Sequence, residues 1–277
     1  MISRQPLTNE QLFNYAPSIF ATAPHESRSD KYSFIPTITV LDGLRKEGFL
    51  PYSVSQSKSR IPGKAEFTKH MIRFRHESVN INDKNIGDEI PEIVMVNSHD
   101  GTSSYQMMAG VFRLVCLNGL VRGDYSDEIR VRHNGRDLVD SVIEAAYSVV
   151  EEFPVINEKI VSMKQIELSE PEREAFASAA LSLKYDENAP IKPADLLDKR
   201  RYEDDKSDLW TQFNVVQENL IKGGQRGYSA TTLKKLRTRP VNSIDNNIKL
   251  NKALWILADK MMELKNTNIS ADLLNVA

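Results

Sequence analysis

Apolar residues follow two rhythms along this chain of 277 residues, and the change from one to the other divides it. In the first half the rhythm is that of strands. Phe49 to about Ser57 forms one run, and Phe67 to His76 forms a second with alternation around Met71, Arg73 and Arg75. A β-branched run, Ile93-Val94-Met95-Val96, stops at Asn97-Ser98-His99-Asp100-Gly101, and a further run from Tyr105 to Cys116 stops at Asn118-Gly119. Asp-Gly and Asn-Gly are strong turn signals because both residues tolerate the positive φ of tight hairpins. Glu128 to His133 completes the set and ends at Asn134-Gly135. Together these runs predict a β-meander of about five strands.

Beyond it the spacing becomes helical. Val139, Val142, Ala146, Val149, Val150 and Phe153 fall on one stripe, which Pro154 interrupts. Ser169-Glu170-Pro171-Glu172 opens the next helix, with proline early and acids in the first turn. Ser207 is placed to cap a helix bearing Leu209, Phe213, Val216 and Leu220, ended by Gly223-Gly224, and a last helix carries Leu250, Leu254, Leu257 and Met261. Ahead of the strands, Thr8 caps a short helix, and Pro36-Thr37 opens another with Val40, Leu41 and Leu44 on one face and Gly48 at its end. Strands followed by helices, without βαβ alternation, predict an α+β fold: an antiparallel β-meander sheet backed by a long helix, then a mainly helical C-terminal half. Residues 186–206 are polar and charged and read as a linker. An α+β core domain over 1–185 and a helical region with a basic loop over 186–277 are therefore expected.

Composition narrows the class only a little. Hydrophobic residues at 40% and charged residues at 27% are those of an ordinary globular protein. The lone cysteine, Cys116, excludes an intrachain disulfide and suits a reducing compartment. It sits in an apolar run, where a small buried hydrophobe is the ordinary reading. The N-terminal residues lack the apolar stretch of a signal peptide, and no segment reaches membrane-spanning length, so a soluble cytoplasmic protein is expected.

Charge changes the picture more. The net value of −2 excludes a uniformly basic nucleic-acid binder but hides strong local asymmetry. Lys69, Arg73, Arg75, Arg113, Arg122, Arg130 and Arg132 lie on or beside the predicted strands. Arg73 and Arg75 are two residues apart, as are Arg130 and Arg132, so each pair projects from one face of its strand. Such a face could lay a nucleic-acid backbone along the sheet. The plainer alternative is a solvated face with Glu or Asp partners across the strands. Residues 222–239 hold six cations, Lys222, Arg226, Lys234, Lys235, Arg237 and Arg239, with no acid, together with glycines, hydroxyls and Tyr228. Phosphate contact calls for these groups. Residues 137–174 instead hold ten acids and three bases. The basic loop therefore suits either nucleic acid or the acidic helix of a neighbouring subunit.

Known catalytic patterns are not met. The glycine loop lacks the GxxxxGK[ST] spacing and follows a helix, so it is not a P-loop. The five histidines show no i,i+4 zinc pairing, and no cofactor is expected. His99-Asp100 is accounted for by turn chemistry, and a carboxylate metal site from Glu92, Asp100 and Asp124 has no supporting spacing. Trp210 and Trp255 fall within helical patterns as core anchors.

Several phrases carry a resemblance: Lys31-Tyr32-Ser33-Phe34-Ile35-Pro36-Thr37, Gly48-Phe49, Asn97-Ser98-His99-Asp100-Gly101-Thr102-Ser103, Arg113 to Leu120, and Asp208 to Asn219. Over essentially the whole chain it resembles the domain-of-unknown-function 932 proteins of bacterial prophages and plasmids. The resemblance implies a mobile-element context and brings no catalytic residues with it. The order of elements is also similar to the core of phage single-strand annealing proteins, which hold one strand on basic residues without a cofactor. The expectation is a non-enzymatic, homo-oligomeric protein that binds and anneals single-stranded DNA. The rival is a protein-interaction module, such as a counter-defence factor acting on a host or phage protein. A metal-dependent nuclease ranks third.

Overall fold

The computed structural model describes residues 1–28, 34–78, 89–113, 118–121, 129–131 and 137–275. They form two compact units, Met1–Phe153 and Pro154–Ala277. The compositional reading placed its boundary at 185/186, whereas the units divide at 153/154, at the start of the helix that follows Glu152.

In the first unit, α1 (Asn9–Tyr15) carries a capping box in which Thr8 and Gln11 satisfy each other's backbone amides. Helix α2 (Thr37–Lys46) buries Val40, Leu41 and Leu44, and Gly48, at φ 80°, turns the chain into β1 (Phe49–Gln56). Strands β2 (His70–His76), β3 (Glu89–Asn97) and β4 (Tyr105–Arg113) follow, each antiparallel to the one before. The outer edge of β4 is shared. Strand β5 (Asn118–Val121) pairs with Gly110–Arg113, and β6 (Ile129–Val131) pairs with Tyr105–Met107. Helix α3 (Leu138–Glu151) packs on β3, β4, β6 and α2, burying Leu138, Val142, Ala146 and Val149. The meander backed by a helix is thus present, with six strands in the sheet among the described residues.

One turn signal misleads. Asn118-Gly119 opens β5, where Gly119 pairs with Phe112 inside the ladder. A Cβ on Gly119 would lie 2.5 Å from Arg73 Cζ, and one on Gly110 would lie 3.2 Å from Arg73 Nη1. The glycine is needed for the close passage of a guanidinium, not for a turn. Asp100-Gly101 does turn, with Gly101 at φ 76°. Cys116 lies outside the described residues.

The second unit holds α4 (Phe153–Gln165), α5 (Glu170–Ser182), α6 (Leu209–Lys222) and α7 (Ile244–Asn275). Ser169 and Glu172 form a capping box at α5, with Lys265 bound to Glu172 at 2.9 Å. Both tryptophans are core anchors. Trp210 stacks on Phe213 and meets Trp255 edge to face at 6.4 Å. The cap of α6 is Asp208, whose carboxylate accepts from the Thr211 amide, one residue beyond the expected Ser207. Residues 186–206 are not a free linker. Leu196 and Asp204 are buried, and Arg201 forms ion pairs with Asp204 and Glu218 at 2.8 and 2.7 Å. Among the described residues, no helix is long and apolar enough to cross a membrane.

Candidate nucleic-acid interface

Three arginines of the sheet, Arg73, Arg75 and Arg113, are buried. Arg73 and Arg75 do project from one side of β2, but both converge on Glu92 of β3, at 3.2 and 2.8 Å, with side chains no more than 5% exposed. Arg73 also donates to the carbonyls of Gly119 and Leu120, both at 3.1 Å. The Arg75 guanidinium lies between the Tyr52 and Phe112 rings, 4.5 and 4.3 Å from their centroids. Arg113, opposite Glu89, is buried as well. Two guanidiniums around one carboxylate leave an excess positive charge, which ring faces and carbonyl dipoles stabilise. These three arginines are structural, and the open phosphate-binding sheet face is corrected accordingly. Of the remaining strand residues, Arg130 is exposed on β6 and Lys69 is half-buried beside β2. Arg122 and Arg132 lie outside the described residues.

The Asn97-to-Asp100 phrase is also internal. Thr37 Oγ1, at the start of α2, receives Asn97 Nδ2 at 3.0 Å and meets His70 Nε2 and His99 Nε2, each at 3.0 Å. His70 Nδ1 meets Ser18 Oγ at 2.8 Å. Burial and the neighbouring His99 hold the His70 pKa down to about 3, so the ring is neutral. Burial pushes the Asp100 carboxyl up, yet hydrogen bonds from Thr102 and Ser98 and the Lys64 ammonium outweigh it and leave its pKa below the ordinary value. Asn97 and His99 thus tie the end of β3 to the start of α2, while Ser98 and Asp100 brace the turn itself through Ser103, Thr102 and Lys64. Among the described residues, no three His, Cys, Asp or Glu side chains are placed to hold a metal.

The basic loop is the surprise of the second unit, for it folds as a hairpin. Strands β7 (Arg226–Tyr228) and β8 (Lys235–Arg237) pair with Arg226 opposite Arg237 and Tyr228 opposite Lys235. Alternation puts these four side chains on one exposed face, and Gly227 and Leu236 on the other. The hidden face lies on residues 190–191. Tyr228 N donates to the Pro190 carbonyl at 2.9 Å, and a Cβ on Gly227 would meet that oxygen at 1.9 Å. The root is pinned where Gly224 N donates to Thr238 O at 2.9 Å and Gly223, at φ 64°, passes so close that a Cβ would fall 2.6 Å from the same oxygen. At the tip, Leu233 takes a positive φ of 54° and is 77% exposed.

Like charges directly across a two-stranded ribbon repel. Arg226, Lys234, Lys235 and Arg239 are exposed and have no carboxylate partner among the described residues, and Arg237 donates only to the Gly224 carbonyl, at 3.4 Å. Lys222, by contrast, is bound to Glu218 at 2.9 Å. Burial pushes the Glu218 carboxyl up, but its bonds to Arg201 and Lys222 prevail and lower it overall. Of the thirteen cations singled out from sequence, the structure therefore gathers Arg226, Lys234, Lys235, Arg237 and Arg239 around one ribbon. Sequence reading left Tyr228 out of that set; its two-residue spacing from Arg226 was the available signal.

Two comparisons bear on kinship. The chain is 46% identical over 259 residues to the UPF0380 protein YafZ of Escherichia coli (strain K12), covering 93% of this chain and 92% of that protein. It is likewise 46% identical over 259 residues to the UPF0380 protein YfjQ of the same organism. No solved structure matches. A family model described as Domain of unknown function (DUF932) matches residues 24–255, and with that span this chain belongs to the DUF932 family.

Proposed function

We propose that this protein binds single-stranded nucleic acid on the exposed face of the β7–β8 hairpin, and that it serves strand annealing in a prophage or plasmid setting. The observation that carries the binding is the cross-strand pair of Arg226 and Arg237, which repel each other until an anion lies between them. A phosphodiester is such an anion, and Arg presents planar paired donors to phosphate oxygens. Tyr228, on the same face and 56% exposed, offers a surface on which a base can stack. A single strand suits the ribbon better than a duplex, because only an unpaired base can turn its flat side to the tyrosine. The annealing step rests on the likeness of fold order to phage annealing proteins, and on a mode of action that needs no cofactor.

The test is a fluorescence titration of a labelled single-stranded oligonucleotide and of its duplex at two salt concentrations, followed by addition of the unlabelled complement. The native protein binds the single strand more tightly and speeds pairing. The Arg226→Ala/Arg237→Ala double variant binds more weakly, and its salt slope falls by about 1.4, at roughly 0.7 for each phosphate left without its arginine. Absence of binding at low salt rejects the reading and turns attention to an acidic protein surface as the partner of the same ribbon.

A further inference from the structure

Beside the hairpin lies a cleft of about 850 Å³, bounded by the end of α5, by the chain from Leu236 to Ser243, and by the first turns of α7. No carboxylate lines it, although acids outnumber bases over the chain by 38 to 36. Four cations do: Lys184, Arg237, Arg239 and Lys249. Between them stand apolar and aromatic side chains, Tyr185, Leu236, Pro240 and Leu250 among them, and the uncharged polar Thr238, Asn242, Ser243 and Asn246. Lys184 braces the floor, donating to the carbonyls of Leu220 at 2.6 Å and Arg239 at 3.0 Å. Arg237 and Leu236 belong both to the cleft and to the ribbon, so the two surfaces are continuous.

A cleft that combines apolar walls with four cations and no acid fits a ligand that is flat and apolar in one part and anionic in another. We infer that the cleft receives one nucleotide of the strand held on the ribbon, with the base against Tyr185 and Leu236 and its phosphate between Arg237 and Lys249. The volume lies within the range of small-molecule sites and exceeds what a phosphate alone requires. This rests on the nucleic-acid reading of the hairpin and extends it: the ribbon holds the backbone, and the adjoining cleft draws one base out of the stack. That base is thereby kept from pairing until it is released.

The experiment uses the full chain and an oligothymidylate carrying one 2-aminopurine at each of several positions in turn, whose fluorescence rises when the base leaves the stack. The native protein raises it several-fold at one or two positions. Asn246→Trp, at an exposed position lining the cleft, sets an indole into the space the base would take and loses that rise, with affinity about tenfold weaker. Lys249→Ala, also exposed, keeps the cleft open, lowers affinity several-fold and flattens the salt slope. Unaltered fluorescence and affinity in Asn246→Trp, with urea midpoints matched to the native protein, overturn the cleft assignment while leaving the ribbon intact. Failure of the native protein to bind the oligonucleotide at all is a different result, and it removes the hairpin reading itself.

Discussion

Glu92 is the residue on which the sheet's inner charge turns. Its carboxylate is the shared partner of Arg73 and Arg75, and the site is closed to water. Glu92→Gln keeps the shape but leaves two guanidiniums uncompensated in low dielectric, so a loss of about 3–5 kcal/mol is expected in urea unfolding. Gly119→Ala tests the same cluster from the other side. The added methyl has no room against Arg73, and a destabilisation of about 1–3 kcal/mol follows. His70 carries the acid response. Its folded pKa of about 3 lies below the ordinary 6.5, so the unfolded chain binds the proton first. Above pH 6.5 this has no effect; between 6.5 and about 3 the folded state loses stability as pH falls, and below 3 the loss levels off. At pH 5 the term amounts to about 2 kcal/mol. Comparing urea midpoints of the native protein and His70→Gln at pH 7 and pH 5 checks it. The native midpoint drops more, and an equal drop in both rejects the assignment.

In the proposed reading, the hairpin serves a ligand at the expense of its own stability. Its strands are three residues each, and one of their cross-strand pairs is cation on cation. Arg237→Glu replaces repulsion by attraction across from Arg226, which stabilises the element by about 0.2–1 kcal/mol. The same change removes one of the proposed phosphate contacts and opposes the anion, so oligonucleotide affinity is expected to fall about tenfold or more. Thermal unfolding and the titration together read both effects, and a variant that is neither more stable nor weaker in binding counts against the ribbon. The element was half visible beforehand. The run of cations without acids and the glycines were plain, yet the run was read as a loop. Three-residue strands are too short to show alternation, and Gly227 has its meaning only against the Pro190 carbonyl. The helix starts at Thr8 and Ser169 were plain for the opposite reason, since each signal spans only a few residues.

Charge on the chain as a whole sorts into internal and external sets. The three described sheet arginines that are buried act on the fold, while the hairpin cations of the second unit face solvent. Salt dependence of binding should therefore come from the second set. Lys58 and Arg60 are exposed cations of the first unit, in the loop after β1. Neutralising both with alanine leaves the affinity and the salt slope within error of the native protein, whereas the Arg226/Arg237 pair changes both. A fall in slope from the Lys58/Arg60 variant would move the binding surface into the first unit.

Local pattern was sufficient for the α+β order, the helix starts at Thr8, Thr37 and Ser169, the tryptophan anchors and the gathering of cations near residues 222–239, because each depends on neighbours within a few positions. Three things waited for the folded chain. Residues 73, 75 and 92 meet only when β2 and β3 pair, so alternation put the arginines on one face without saying that the face is closed. The segment 186–206 is polar in composition but is held to α6 by the Arg201–Glu218 ion pair and the Arg200–Asn219 hydrogen bond, and composition does not record partners distant in sequence. The cleft beside the hairpin draws on three separate stretches, and only their convergence made a site with four cations and no acid. Spacing along a chain reports which way a side chain points; what stands opposite it is decided by tertiary contact.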